Sequence, residues 1–422
     1  MVVILVYTLF GAVVLVGMAQ SHLVVRDQLQ RQAAYAAEAG VYEAMAQLEE
    51  DVSWRPSGPT PGLGSALVTL HIRAHGAYLR VAAEAQVGDQ VQHRNAIIGA
   101  DPGQIGQAAL ALLAGGTEFV MAGSTRIIGP VWTERGTVRF EPIEGAPFTG
   151  SVAGPVERPP AGLRLDAAVG PYDQLLTDIR RGVSVRLAEG LPLHVQEGDL
   201  VLVGGDALLS HPVAVMVHGR LNLRGPLLFA EGSTFAATDT LVIEGPMSGQ
   251  DGLFVSGAAV VIGRGVTCSG QFVARESVTL LRGAGPRYPS AAYARADVAE
   301  GSWGGVDMKP GSTFDGTVLV SRADPRATFQ RASVRVDQDA RVRGAVLSDA
   351  PVELLGHIDG SVAAPGAILE RGFTTYHNWL VDASVDLSGR PPGFVVPISA
   401  LERSALSTRL RVAWWSPDSS SP

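Results

Sequence analysis

The side chains able to do chemistry in this chain are few and far apart. Its single cysteine, Cys268, lies in the strand-like run "RGVTCSGQFV". One cysteine excludes an intrachain disulfide framework and every multi-cysteine metal motif, and this setting fits a buried structural thiol better than a nucleophile. His71 and His75 stand four apart, a spacing that binds zinc on a helix. They fall in an alternating strand pattern, where that spacing separates them by about 13 Å along one face, so no metal site is expected. Glycoside hydrolysis needs two or three carboxylates gathered on one face. The acids noted along the middle of the chain, Asp206, Glu244, Asp251, Asp315, Asp337, Asp349 and Asp359, are scattered without an Asp-Asp pair. "VHGR" at 217–220 supplies a histidine and an arginine with no acidic neighbour in sequence. There is no G-x-S-x-G elbow, no phosphate-binding G-x-x-x-x-G-K, no H-E-x-x-H and no calcium-binding G-G-x-G-x-D repeat. The expectation is a protein without catalysis, cofactor or metal.

What would position such residues begins with an apolar run. Val2–Ala19, "VVILVYTLFGAVVLVGMA", carries no charge. At about 1.5 Å per residue it makes a helix of roughly 27 Å, enough to cross a bilayer core. No basic segment precedes the run, and "GMAQSH" is a poor signal-peptidase site. Apolar or small residues then recur at Leu29, Ala33, Ala37, Gly40, Val41, Ala44 and Leu48 with helical period, and no proline intervenes before Pro56. One continuous helix to about Asp51 is predicted. Its outer part presents a face of Ala33, Ala37, Gly40 and Ala44, small enough for another helix to approach closely.

A long helix, apolar for its first third and then running into "AAYAAEAGVYEAMAQLEED", resembles type IV pilin-like proteins. It is most similar to PilX-type minor pilins and K-type pseudopilins of type II secretion. Ala36-Ala37-Glu38-Ala39-Gly40 matches the family's "AAEAG" element. The likeness is close over about the first 50 residues and loose over the next 50. It implies a single-pass inner-membrane subunit exported to the cell envelope or a surface filament, with other pilin-like subunits as partners. Two departures stand out. Pilin precursors carry a short basic leader ending in Gly, whereas this sequence opens inside the apolar run. Major pilins carry a glutamate at the fifth mature position, whereas Leu5 and the rest of the run are uncharged, which implies an atypical minor subunit.

Beyond the helix, Ser65–Ala100 alternates as three strands with turns near His75-Gly76 and Gly88-Asp89, a small antiparallel sheet. From about Thr117 to Glu370 a glycine-led apolar block recurs: "GPVWTE" (129), "GSVAGP" (150), "GPLLFA" (225), "GPMSGQ" (245), "GQFVAR" (270), "GTVLVS" (316), "GAVLSD" (344) and "GSVAAP" (360). Five of the seven gaps run from 16 to 28 residues, and the other two are 75 and 46. Short Val/Ile/Leu strands with glycine corners at this period predict a right-handed β-helix-like solenoid rather than a β-sandwich. The long gaps hold insertions. One, Leu163–Gly182, is helical through Leu175, Leu176 and Ile179. The other, Arg282–Gly305, is loop-like, and its Tyr288, Tyr293 and Trp303 are candidates for a surface contact, if they do not simply pin the loop.

The predicted organisation is therefore mainly β: helix 1–51, headgroup 52–100, solenoid 101–390, and a cap and tail over 391–422, with Trp379, Trp414 and Trp415 expected to plug the stack's end. A net charge of −8 gives no attraction to nucleic acid. The expected function is a minor pilin-like structural subunit displaying a solenoid, with a glycan or surface ligand as a further partner. The alternatives are a signal-anchored scaffold or adhesin and, less favoured, a polysaccharide-active enzyme, since right-handed solenoids include pectin-cleaving enzymes.

Overall fold

The computed structural model describes residues 2–51, 53–62, 64–113, 118–161, 163, 169–182, 191–204, 208–209, 211–298, 302–322, 331–398 and 409–415. Asp206, the tail after Trp415 and parts of both predicted insertions lie outside the described residues. The fold is mainly β, with one long N-terminal helix, a small antiparallel sheet and a parallel-strand solenoid. It divides into two compact units, Met1–Ala74 with Leu79–Ile98 and Leu410–Pro422, and His75–Tyr78 with Gly99–Arg409.

In the first unit, helix α1 (Val2–Glu50) is unbroken, as its lack of proline and glycine pairs allows. Strands β1 (Thr60–Pro61), β2 (Leu67–His75), β3 (Tyr78–Val87) and β4 (Gln90–Ala100) follow. The β3–β4 hairpin pairs Val87 with Gln90 across Gly88-Asp89, where Gly88 takes φ +61°. The sheet has a fifth strand that the sequence reading assigned to a solenoid cap. Leu410–Trp415 lies beside β4, and the Trp415 ring meets Tyr42 of α1 edge-on at 6.0 Å. The run "LRVAWW" is strand-forming and mostly half-exposed, which suits a sheet edge.

The second unit is a stack of rungs. Nine successive strands, from Leu193–Glu197 to His357–Ala364, form one parallel sheet. A second parallel sheet runs from Leu200–Val203 to Val352–Leu354. A short third face pairs Leu208–Leu209, Leu227–Phe229 and Met247–Ser248. Inward residues line up in columns. Phe235, Phe254 and Phe272 are register partners, and their rings stack at 5.4 and 5.0 Å. All three are fully buried.

Rung order departs from chain order. The first two repeat blocks do not precede the rest. Strand His357–Ala364 is followed by a composite rung: Ser384–Asp386 pairs with its first half and Leu110–Leu112 with its second. Arg126–Ile128 and Val131–Thr133 stack on that rung, and Ser151–Ala153 with Val156–Glu157 close the series. Two inward columns run straight through, Ile358–Val385–Ile127 and Val362–Leu110–Val131, and each of these side chains is at most 1% exposed. The 75-residue gap thus contains the chain's return from Glu157 at one end of the stack to Leu193 at the other. Its helix α2 (Gly170–Arg180) lies against Gly252–Ser256 and Gly270–Ala274, burying Leu175, Leu176 and Ile179. The second gap contains a rung: Ser290–Ala294 pairs with Gln271–Ala274 and with Gly316–Val320. Its run of small residues, preceded by Pro286 and Pro289, carries little strand signal in sequence.

Truncating the middle ring of the phenylalanine column, Phe254→Ala, is expected to destabilise the second unit by about 3–5 kcal/mol. Denaturant unfolding followed by circular dichroism measures this, and a loss below about 1 kcal/mol would contradict a continuous core.

Candidate functional site

Two places on the described chain combine unusual composition with defined geometry. The first is α1. Over Tyr7–Glu50 it is long and apolar enough to cross a membrane, and its most apolar stretch is wholly unburied by the rest of the chain. Tyr7, Phe10 and Leu15 are each more than two-thirds exposed. Farther along, the helix changes role. Ala33, Ala37 and Ala44 are fully buried, and Gly40 lies in tight contact with the sheet: a Cβ there would stand 2.7 Å from Val68 Cγ1 and 3.3 Å from Leu70 Cδ2. The small-residue face is therefore occupied by the chain's own β2 and β3. The sequence reading gave it to another subunit's helix. The physical reason is that a two-layer unit must bury one stripe of its helix on its sheet.

The second place is on the outer surface of the second sheet. Strands Gly305–Met308, Val334–Val336 and Val352–Leu354 put Val and Met inward, so the middle residues Asp307, Arg335 and Glu353 share one outward column. Adjacent strands lie about 4.8 Å apart, which places Asp307 and Glu353 roughly 10 Å apart with Arg335 between them. Arg335 reaches Glu353 at 3.5 Å and Glu370 at 2.9 Å. Lys309 reaches Asp307 at 2.7 Å and Asp337 at 3.8 Å. The Glu370 amide donates to Glu353 at 2.9 Å. Trp303 lies against the Arg335 guanidinium, 5.4 Å from its ring centre, and donates from Nε1 to the Ala332 carbonyl at 2.8 Å. Burial raises the Glu353 carboxyl above the ordinary carboxylate range, and the Glu370 amide and Arg335 only partly offset it. Burial likewise raises Asp337.

Sequence inspection had singled out Asp337 but missed Asp307, Glu353 and Glu370. Aligning the inward pairs Val306/Met308, Val334/Val336 and Val352/Leu354 would have found the column. Chemically, the arrangement is a ladder of alternating charges. An acid–base pair for glycoside cleavage leaves room for substrate between its carboxyls. Here a guanidinium fills that space.

The other acids are also engaged. Asp315 pairs with Arg343, Asp359 with Arg341, and Glu244 with Arg224 at 3.3 Å, while Asp349 accepts from Ser321 at 3.3 Å. His218 of the "VHGR" stretch stands 3.9 Å from Glu197. His75 Nε2 lies 3.0 Å from the Asp251 carbonyl and 3.2 Å from its carboxylate, whereas His71 is exposed. Among the described residues no three His, Cys, Asp or Glu side chains gather as a metal would need. Cys268 is fully buried, which pushes its thiol up to about 12.

Of the three aromatics expected at a contact surface, Tyr293 lies inside the fold, while Tyr288 and Trp303 are half-buried. Tyr293 is fully buried; its ring packs on Tyr172 of α2 at 5.1 Å and its hydroxyl donates to Asp173 at 2.7 Å. Tyr288 is half-buried, and its hydroxyl accepts from the Val395 amide at 3.1 Å. Trp303 is half-buried against Arg335. Each holds a segment to the stack. Comparison with family models, with curated proteins and with solved structures finds no match for the chain.

Two outcomes follow. Gly40→Leu is expected to destabilise the first unit by about 1–3 kcal/mol through overpacking, despite the better helix propensity of leucine. A melting temperature equal to or above that of the parent would contradict the packing described. Because the Glu353 pKa is raised in the folded state, the native chain holds its proton more tightly than the unfolded chain. Stability therefore falls as pH rises from the ordinary glutamate pKa through the raised one. Glu353→Gln is neutral throughout and should flatten that fall in melting temperature between pH 4 and 8. An unchanged slope would show that Glu353 is not the group responsible.

Proposed function

We propose that this chain is a membrane-inserted structural subunit of minor pilin type. In this reading it serves a type IV pilus-like or type II secretion-like filament apparatus and carries its solenoid as a module displayed at the cell envelope or surface. The observation that carries the reading is the division of α1 into two halves of opposite character. The half after Gln32 is held by its own sheet, which fixes the helix rigidly to a folded head. The stretch Tyr7–Val25 before it projects as exposed apolar surface that the other described residues do not cover. Lipid and the equivalent helices of neighbouring subunits are the surroundings that such a half fits. The resemblance of "AAYAAEAGVYEAMAQLEED" to minor pilins and pseudopilins supports the same reading. The solenoid contributes rigid, closely ion-paired faces, suited to contact rather than turnover.

A signal-anchored scaffold would share the membrane attachment but not the partners. Exchanging residues 2–25 for an unrelated apolar span of equal length separates the two. The expected outcome is retention in the membrane fraction with loss of co-purifying subunits that bear similar helices. Retention of those partners would show that the helix is an anchor alone. As a companion test, Leu15→Arg places a charge in the apolar half at a cost of about 2.5–3.5 kcal/mol for a central position. It is expected to shift the chain out of the membrane fraction, and unchanged partition would contradict insertion of this segment.

A further inference from the structure

The stack has two ends, and they are built differently. At one end Leu193–Glu197 continues the main sheet's columns. Register places His194 in line with Val215, Phe235 and Phe254, and Gln196 in line with Val217 and Ala237. Polar side chains thus stand at the ends of the main sheet's two columns there, while the second sheet's columns end at the same rung in the partly buried Leu200 and Leu202. At the other end the last rung is "SVAGPVE", Ser151–Glu157. There the columns end in Val152 and Val156, which pack on the core but remain partly exposed. The remaining residues of this rung are exposed, and among the described residues no strand covers its outer edge.

The hydrogen bonding of this rung is one-sided. Ser151 donates to the Thr125 carbonyl at 3.0 Å, while the carbonyls of Ala153 and Pro155 accept from Gly129 and Val131 at 2.8 and 2.9 Å. Strand alternation then turns the amides and carbonyls of Val152, Gly154 and Val156 toward the open edge. Pro155, which lacks an N–H, falls on the paired side, so the open edge loses no donor. The pattern is also symmetric: Val152 and Val156 lie two residues either side of Gly154. A second copy turned about a two-fold axis through Gly154 would lay its own edge antiparallel on this one. Val152 would face the partner copy's Val156 as a hydrogen-bonded pair, and both columns would continue into the second stack.

We infer that the Ser151–Glu157 edge is a self-complementary interface through which two copies of this chain join end to end as a closed dimer. An isologous contact uses up this edge on both copies, so a closed dimer and not a fibre results from it.

In that geometry Ser151 faces the partner copy's Glu157 as a non-hydrogen-bonded pair with Cα atoms about 4.5 Å apart, within reach of a disulfide. The test uses the full chain in detergent carrying Ser151→Cys and Glu157→Cys, with the buried Cys268 left in place. Mild oxidation is expected to give a species of twice 44.1 kDa that reverts on reduction, while each single variant stays uncrosslinked. Val152→Lys, in the otherwise unaltered chain, is expected to lower the dimer fraction in sedimentation at least tenfold. Absence of the crosslink in a folded double variant would overturn the inference and leave the edge to solvent or to another protein. Equal crosslinking of the single variants would overturn it as well. If the cysteine variants fail to fold, sedimentation of the parent and Val152→Lys decides alone: a dimer that survives the lysine belongs to another surface, such as α1, and a parent that is monomeric at micromolar concentration has no such interface.

Discussion

A rung of this solenoid cannot bury its own apolar side chains. Each inward residue is covered by the equivalent residues of the rungs on either side, so the unit of stability is the column and not the strand. Phe254 has Phe235 on one side and Phe272 on the other, and all three owe their burial to that stacking. Parallel strands about 4.8 Å apart give the spacing at which flat rings and branched chains fill such columns. Every other feature of the second unit follows from keeping the columns continuous.

The composite rung is the clearest consequence. His357–Ala364 would expose Ile358 and Val362 if the stack ended there. Segments from both ends of the unit meet to cover them, Val385 on the first and Leu110 on the second. The chain then has to travel back to begin the remaining rungs at Leu193, and that journey positions α2 on the outside of the main sheet. Outside the columns the same registry acts on charge. Asp307, Arg335 and Glu353 fall in one outward line, so opposite charges alternate at strand spacing, and the partial burial that holds them together also lifts the carboxyl pKa of Glu353. At one end the main sheet's columns finish in His194 and Gln196 and the second sheet's in Leu200 and Leu202, while at the other end the last rung finishes in Val152 and Val156.

Much of this was legible in the sequence because it is local. The unbroken helical period from Leu29 to Leu48, the strand alternation before Ala100, the glycine-led repeat and the helix marked by Leu175, Leu176 and Ile179 all depend on near neighbours in the chain. The order of the rungs was not legible. Inward residues are drawn from an interchangeable set of Val, Ile, Leu and Phe, so nothing in "TRIIGPVWT" says whether it stacks before Leu193 or after His357. Ser290–Ala294 was hidden by its small residues, and Leu410–Trp415 by its distance in sequence from β4. The role of Ala33, Ala37, Gly40 and Ala44 was misassigned for a related reason. A small helical face fits a neighbouring helix or the chain's own sheet equally well, and only the close approach of Val68 and Leu70 to Gly40 separates the two.

Segments from opposite ends of the second unit complete a single rung. Amide hydrogen exchange on the full chain, resolved to peptides covering Leu110–Leu112 and Ser384–Asp386, tests it most directly. If they form one rung between His357–Ala364 and Arg126–Thr133, both should be protected to the level of the Phe254 and Phe272 strands and should open together under mild denaturant. Rapid exchange at either segment, or opening of one well before the other, would contradict the stacking order on which the whole description rests.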